Sequence, residues 1–172
     1  MKKYELTNET IKYGGKNLYR IKALIDFGNV KKGTRGGFVE KEENLSMSDN
    51  ALVSGNAKVC GNAWVCGNAW VCGNAKVCGN AKVCSDAWVC SDAWVYKNID
   101  HAEINGFGTC SRHTTFFRCK DKTVKVSCGC FLGTIDEFRN QVKNTRGGKI
   151  AKEYLMIADL MELHFSEDGY DD

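Results

Sequence analysis

The chain has 172 residues, room for one ordinary domain or two small ones. Its formal charge of +3, from 24 Lys and Arg against 21 Asp and Glu, argues for neither nucleic acid nor an acidic partner. No apolar run reaches the roughly 20 residues of a membrane helix, and "MKKYELTNET" lacks the apolar stretch of a signal peptide, so a cytoplasmic chain with no membrane attachment is expected.

The basic excess lies at the start, where residues 1–44 hold ten Lys or Arg and six Asp or Glu. There "NLYRIKALIDFGNV" alternates as a strand does, and the Gly-rich "KKGTRGGFVE" follows it. Residues 1–44 thus read as a small β cap. A repeat begins at Leu45 and needs such a cap, because the end coil of a solenoid leaves backbone donors and acceptors open to edge pairing.

From Ala51 to Val95 the chain repeats every six residues. One column holds Val53, Val59, Val65, Val71, Val77, Val83, Val89 and Val95. A second holds Ala51, Ala57, Ala63, Ala69, Ala75, Ala81, Ala87 and Ala93, and Leu45 and Met47 fit one hexad earlier. In Ala-x-Val-Cys, period-2 alternation sends Ala and Val to one side and the other two residues to the opposite side. The following Gly-Asn, or Ser-Asp at 85–86 and 91–92, turns a corner. A strand of about four residues and a corner, repeated, coils into a parallel β-helix. After Val95 the register breaks, and Ala102 and Ile104 restore the Ala-x-aliphatic pair, which extends the repeat to residues 45–105.

The hexad "VCGNAK" resembles the left-handed β-helix family, with an aliphatic residue first and a small one fifth. That resemblance implies left-handed coils of three hexads, about three to four in all. Left-handed crossovers run against the usual rule for parallel strands, so the handedness follows from the resemblance alone.

Residues 106–166 read as a ββαα unit. Strands are expected in "TTFFRCK" and "TVKVSCGCF". Thr134 and Glu137 in "TIDEF" form a capping box opening a helix to about Lys143. A second helix, from about Ile150 to His164, sets Ile150, Tyr154, Leu155, Ile157, Ala158, Met161 and Leu163 on an apolar face. The tail 167–172 reads as flexible. The fold class is mainly β, a β-helix between a β cap and a small α+β domain. The segments "YELTNETIKYGGKNLYRIKALIDFGNVKKGTRGGFVEKEENLS" and "TTFFRCKDKTVKVSCGCFLGTIDEFRNQVKN" resemble phage and prophage hexapeptide-repeat proteins and their uncharacterised C-terminal segments. That resemblance implies an accessory protein acting on a bacterial host protein, for example an inhibitor of a defence system such as a CRISPR effector.

Three chemistries compete. Many members of the β-helix family are trimeric acyltransferases, which need a His base and an acceptor loop. No His lies between Leu45 and Tyr96, no loop interrupts the hexads, and His101 sits at the register break. Cys110, His113, Cys119, Cys128 and Cys130 are a weak set of metal-ligand candidates, since two Cys-x-x-Cys knuckles are missing; packed, reduced cysteines are the preferred reading. Six further cysteines recur at one repeat position, a packing pattern that also predicts reduced thiols. No cofactor is expected.

The third chemistry is binding. The place between Ala and Val reads Lys58, Trp64, Trp70, Lys76, Lys82, Trp88 and Trp94, all outward by the alternation. With three hexads per coil, Trp70 and Trp88 stack on one wall, and Trp94 lies above Lys76 and Lys58 on another. Outward Trp residues mark a contact surface. The leading expectation is therefore a non-enzymatic protein-binding protein, a homodimer or homotrimer that engages a host protein through these residues. Acyl transfer and small-molecule binding at a subunit interface are the alternatives. Basic segments with interleaved aromatics at the N-terminus and in "HTTFFRCKDKTVK" give only a weak case for nucleic acid.

Overall fold

The computed structural model describes residues 2–166, so the expected tail at 167–172 lies outside the described residues. Two compact units divide the chain, one ending at Asn98 and one starting at Ile99.

The first unit opens with β1 (Tyr4–Tyr13), β2 (Lys16–Ala23) and β3 (Arg35–Val39). Gly14 and Gly15, both at positive φ, close the β1–β2 hairpin. The solenoid follows with β4 (Leu52–Val53), β5 (Lys58–Val59), β6 (Trp64–Val65), β7 (Trp70–Val71), β8 (Lys76–Val77), β9 (Lys82–Val83), β10 (Trp88–Val89) and β11 (Trp94–Val95). Each of β4 to β11 pairs in parallel with the strand three hexads away, and β3 pairs in parallel with β5, which makes three walls: β3-β5-β8-β11, β6-β9 and β4-β7-β10. This is a β-solenoid of about three turns. Only two residues per hexad sit in ladder register, yet the bonds reach from the Ala carbonyl to the Cys amide, as in Lys58 N to Ala75 O (2.9 Å) and Cys60 N to Val77 O (3.0 Å).

The Ala and Val columns fill the interior, and all of these side chains are buried. Each buried Val contributes roughly 1.5–3 kcal/mol relative to exposure, so the columns are the main source of stability in this unit. The narrow bore explains why the second column is Ala. At the corners the first residue adopts a left-handed conformation, with Gly67 at φ +66° and Gly79 at φ +61°. A Cβ on Gly79 would come 2.6 Å from the carbonyl oxygen of Tyr96. Ser85 (φ +57°) and Ser91 (φ +59°) take the same conformation with a side chain.

The first coil is capped by side chains. Asn44 is buried; its amide donates to the Ala63 carbonyl (2.8 Å) and the Gly61 carbonyl (3.1 Å). Glu40 accepts from Gly61 N (2.6 Å) and Asp49 from Gly67 N (2.7 Å). These groups meet polar backbone that no preceding coil can reach. Lys3, also buried, donates to the carbonyls of Asp49 and Ala51 (both 2.9 Å). At the other end Asn98 Oδ1 accepts from Lys82 N (2.8 Å).

The second unit is an antiparallel meander of β12 (His101–Phe107), β13 (Arg112–Arg118), β14 (Val124–Cys128) and β15 (Phe131–Thr134), followed by α1 (Ile135–Thr145) and α2 (Gly148–His164). It therefore has two strands more than the expected ββαα. Ala102 and Ile104 do not resume the solenoid: they pair antiparallel with Phe116 and Thr114. The Ala-x-aliphatic spacing is shared by any strand with one apolar face, so it could not separate the two cases. The Thr134 box forms, with Glu137 N donating to Thr134 Oγ1 (3.2 Å) and Thr134 N to Glu137 Oε2 (2.7 Å). Phe116 and Val126 of the sheet pack with Ile135, Phe138 and Val142 of α1 and with Tyr154, Ile157, Ala158 and Met161 of α2. Leu163, expected on that inward face, is exposed.

Candidate interaction surface

On the β4-β7-β10 wall, register alone stacks Leu52, Trp70 and Trp88. The two indoles are parallel, 1° between planes and 5.3 Å between centroids. Trp70 Nε1 donates to Ser54 Oγ (2.8 Å) and Trp88 Nε1 to Cys72 Sγ (3.2 Å), so both rings are held in place. The corner beside them carries a ladder of polar side chains, Asn50 to Asn68 (3.2 Å) and Asn68 to Asp86 (2.9 Å).

A loop from the N-terminal strands completes a groove here. Phe27 and Val30 exchange backbone bonds (3.0 and 2.8 Å) around Gly28-Asn29, which turns the loop tightly. With Leu52, Trp70 and the Asn50–Asn68–Asp86 ladder, this loop encloses about 640 Å³ of apolar floor and polar edge. Lys31, also at the rim, is paired with Asp26 (3.0 Å); hydrogen bonds from Lys32 N and Lys31 hold the Asp26 carboxyl below its ordinary range. Sequence reading missed this loop as part of the surface, although "FGNV" carries a turn signal.

The remaining columns differ. On the β6-β9 wall Trp64 stacks in register with Lys82, and both are exposed. Trp64 and Trp70 show 42% and 41% of their surface to solvent. On the β3-β5-β8-β11 wall Lys58, Lys76 and Trp94 are in register, as expected, but all three are half-buried. Tyr13 of β1 covers the lysines, its ring 6.0 Å from Lys58 Nζ and 5.4 Å from Lys76 Nζ, and its hydroxyl meets that of Tyr96 at 3.0 Å. Lys76 also lies over the Trp94 ring (5.3 Å). Burial, with the neighbouring Lys76 charge second, lowers the Lys58 pKa. The structure thus leaves Trp64, Lys82 and Trp70 open and covers Lys58 and Lys76.

The repeat cysteines form three stacked pairs, each 18 residues apart. Cys66 and Cys84 are disulfide-bonded, which corrects the expectation of uniformly reduced thiols: coils one strand spacing apart bring their Cα atoms to 4.6 Å, within disulfide range. Cys60 and Cys78 lie in contact beneath Leu18 and Phe38. Cys72 is hydrogen-bonded with Cys90.

The metal-ligand candidates do not converge. Among the described residues no group of three or more His, Cys, Asp or Glu is placed to hold a metal ion. Cys119 is buried, Cys128 accepts from the Thr114 hydroxyl (3.2 Å), and Cys110 and Cys130 are exposed rather than packed. His113 is on β13, and His101 opens β12 opposite Phe117.

The second unit adds an apolar stripe. Met156, Leu160 and Leu163 follow the i, i+4, i+7 spacing along α2 and are 71%, 55% and 70% exposed. No helix among the described residues is long and apolar enough to cross a membrane. No protein-family model matches the chain, and no curated protein matches it.

Proposed function

We propose that the protein is a non-enzymatic binding module that grips a partner protein with the Trp70–Trp88 wall. The observation carrying this reading is the display of Trp70, two-fifths exposed, at the edge of a groove whose framework is a hydrogen-bonded solenoid. Large aromatic side chains held in one orientation lose little entropy on binding, and Trp anchors dominate many interfaces. A protruding apolar side chain of the partner fills the groove over Leu52 and Trp70. The Asn50–Asn68–Asp86 ladder offers hydrogen bonds at the rim, as an interface edge requires.

The Met156, Leu160 and Leu163 stripe supports self-association, because three large apolar side chains at coiled-coil spacing on one helix face gain by meeting a second copy. The resemblance of the flanking segments to phage and prophage proteins supports a partner in a bacterial host cytoplasm, an anti-defence role against a CRISPR effector being one such form. The test is capture from a bacterial lysate followed by reconstitution with the purified partner. Wild-type protein binds in both settings and the double variant Trp70→Lys/Trp88→Lys binds in neither. Retained binding by the folded double variant removes the wall from consideration.

The groove volume favours one second reading, a small aromatic ligand lodged against Trp70. Ligand-observed NMR with an aromatic fragment set, read against Trp70→Ala, separates it from the first. Acyl transfer is tested directly by incubation with acetyl-CoA, which a binding module leaves unbound and unhydrolysed.

A further inference from the structure

We propose that Cys72 and Cys90 are a reactive dithiol that reduces small-molecule disulfides of the glutathione type and closes a second cross-coil disulfide. Three observations place it. Val71 pairs with Val89, and Cys72 N donates to Val89 O (3.0 Å), so the two cysteines that follow stand one coil apart in the register of Cys66 and Cys84. That neighbouring pair is already bonded, which shows that this coil spacing accepts a disulfide. Cys72 is half-buried while Cys90 is buried, so an incoming disulfide reaches Cys72 first.

The surroundings select Cys72 as nucleophile. Its sulfur accepts from Trp88 Nε1 (3.2 Å) and is hydrogen-bonded with Cys90, and both contacts favour the thiolate. They pull its pKa down to about 7 against the opposing effect of burial. Cys60 and Cys78 are the contrast within the same molecule: both are buried beneath Leu18 and Phe38, which close the approach.

The reaction runs in two exchanges. The Cys72 thiolate attacks one sulfur of the small-molecule disulfide, a Cys72 mixed disulfide forms, and one small thiolate leaves and takes a proton. Cys90, deprotonated, then attacks Cys72 Sγ and expels the second small thiol. Two protein thiols are oxidised to one disulfide, and one small disulfide is reduced to two thiols.

The full chain, under conditions that leave Cys66–Cys84 intact, is incubated with oxidised glutathione and quenched by alkylation, with each cysteine quantified by mass spectrometry. Cys72 and Cys90 lose alkylation together, about tenfold faster than Cys60, as expected for a thiolate-rich accessible sulfur against a closed one. Cys90→Ser accumulates the Cys72–glutathione adduct, and Cys72→Ser leaves Cys90 alkylatable. Oxidation of Cys60 at the rate of Cys72, or of Cys90 at its wild-type rate in Cys72→Ser, overturns the proposal. Trp88→Phe keeps both cysteines and removes one donor, so it slows the first exchange severalfold; an unchanged rate there, with a cooperative urea transition retained, also counts as refutation.

Discussion

The indole of Trp70 lies flat on that of Trp88, 5.3 Å away, because Val71 and Val89 are paired in register on adjacent coils. Such a pair contributes about 0.5–1.5 kcal/mol beyond its area. Trp70→Phe and Trp88→Phe should each lower stability by about 1 kcal/mol in urea titration, the share of the stacked contact. Trp70→Lys/Trp88→Lys should lower stability by no more than about 2 kcal/mol, since neither ring is in the solenoid interior. A loss above about 3 kcal/mol for either single change would place that ring inside the solenoid.

The interior tolerates far less. Val77 is fully buried, so Val77→Asp strands a carboxylate where only Ala and Val side chains face it. The loss should exceed about 4 kcal/mol, enough to unfold the first unit, whereas Val77→Ala should cost about 2 kcal/mol. Urea titration followed by Trp fluorescence measures both. A folded Val77→Asp variant would mean that the bore admits water.

Corner residues should respond in opposite directions. Gly79→Ala adds a Cβ 2.6 Å from Tyr96 O at a φ of +61°, and a loss of at least about 1–2 kcal/mol is expected. Ser85→Gly relieves the strain of a side chain at φ +57°, and after the entropy of Gly is subtracted a gain of under about 1 kcal/mol remains. Melting midpoints of the two variants should bracket that of the wild type.

Along α2, Leu160 is the middle of the exposed stripe, and self-association through it should be lost on Leu160→Lys without loss of helix. Sedimentation equilibrium at micromolar concentration should give a dimer or trimer for the wild type and a monomer for the variant. A wild-type monomer would leave the stripe free for another protein.

The Cys72 thiol should be alkylated by iodoacetamide with a pH profile centred near 7, because hydrogen bonds from Cys90 and then Trp88 stabilise its thiolate. The sign follows from the direction of the shift: a lowered pKa supplies thiolate at pH values where an ordinary thiol, near 8.5, is still protonated. Cys90→Ala removes the larger of the two contributions and should move the profile upward. A profile that stays in place would assign the activation to Trp88 alone.

Much of the solenoid was legible in the sequence because its contacts are periodic. A six-residue repeat with three hexads per coil assigns Val71 to Val89 and Trp70 to Trp88 by counting, without any knowledge of the rest of the fold. The capping box at Thr134 was legible for the same reason: its partners are three residues apart. Tertiary structure decided whatever depends on which surface meets which. The covering of Lys58 and Lys76 by Tyr13 rests on a hairpin folding over a wall many residues away, and no local pattern marks it. On α2 both Met161 and Leu163 satisfy helical periodicity. The sheet it packs against buried the first and left the second in solvent, because one helix face fits over Phe116 and Val126 and an apolar count along the chain does not say which.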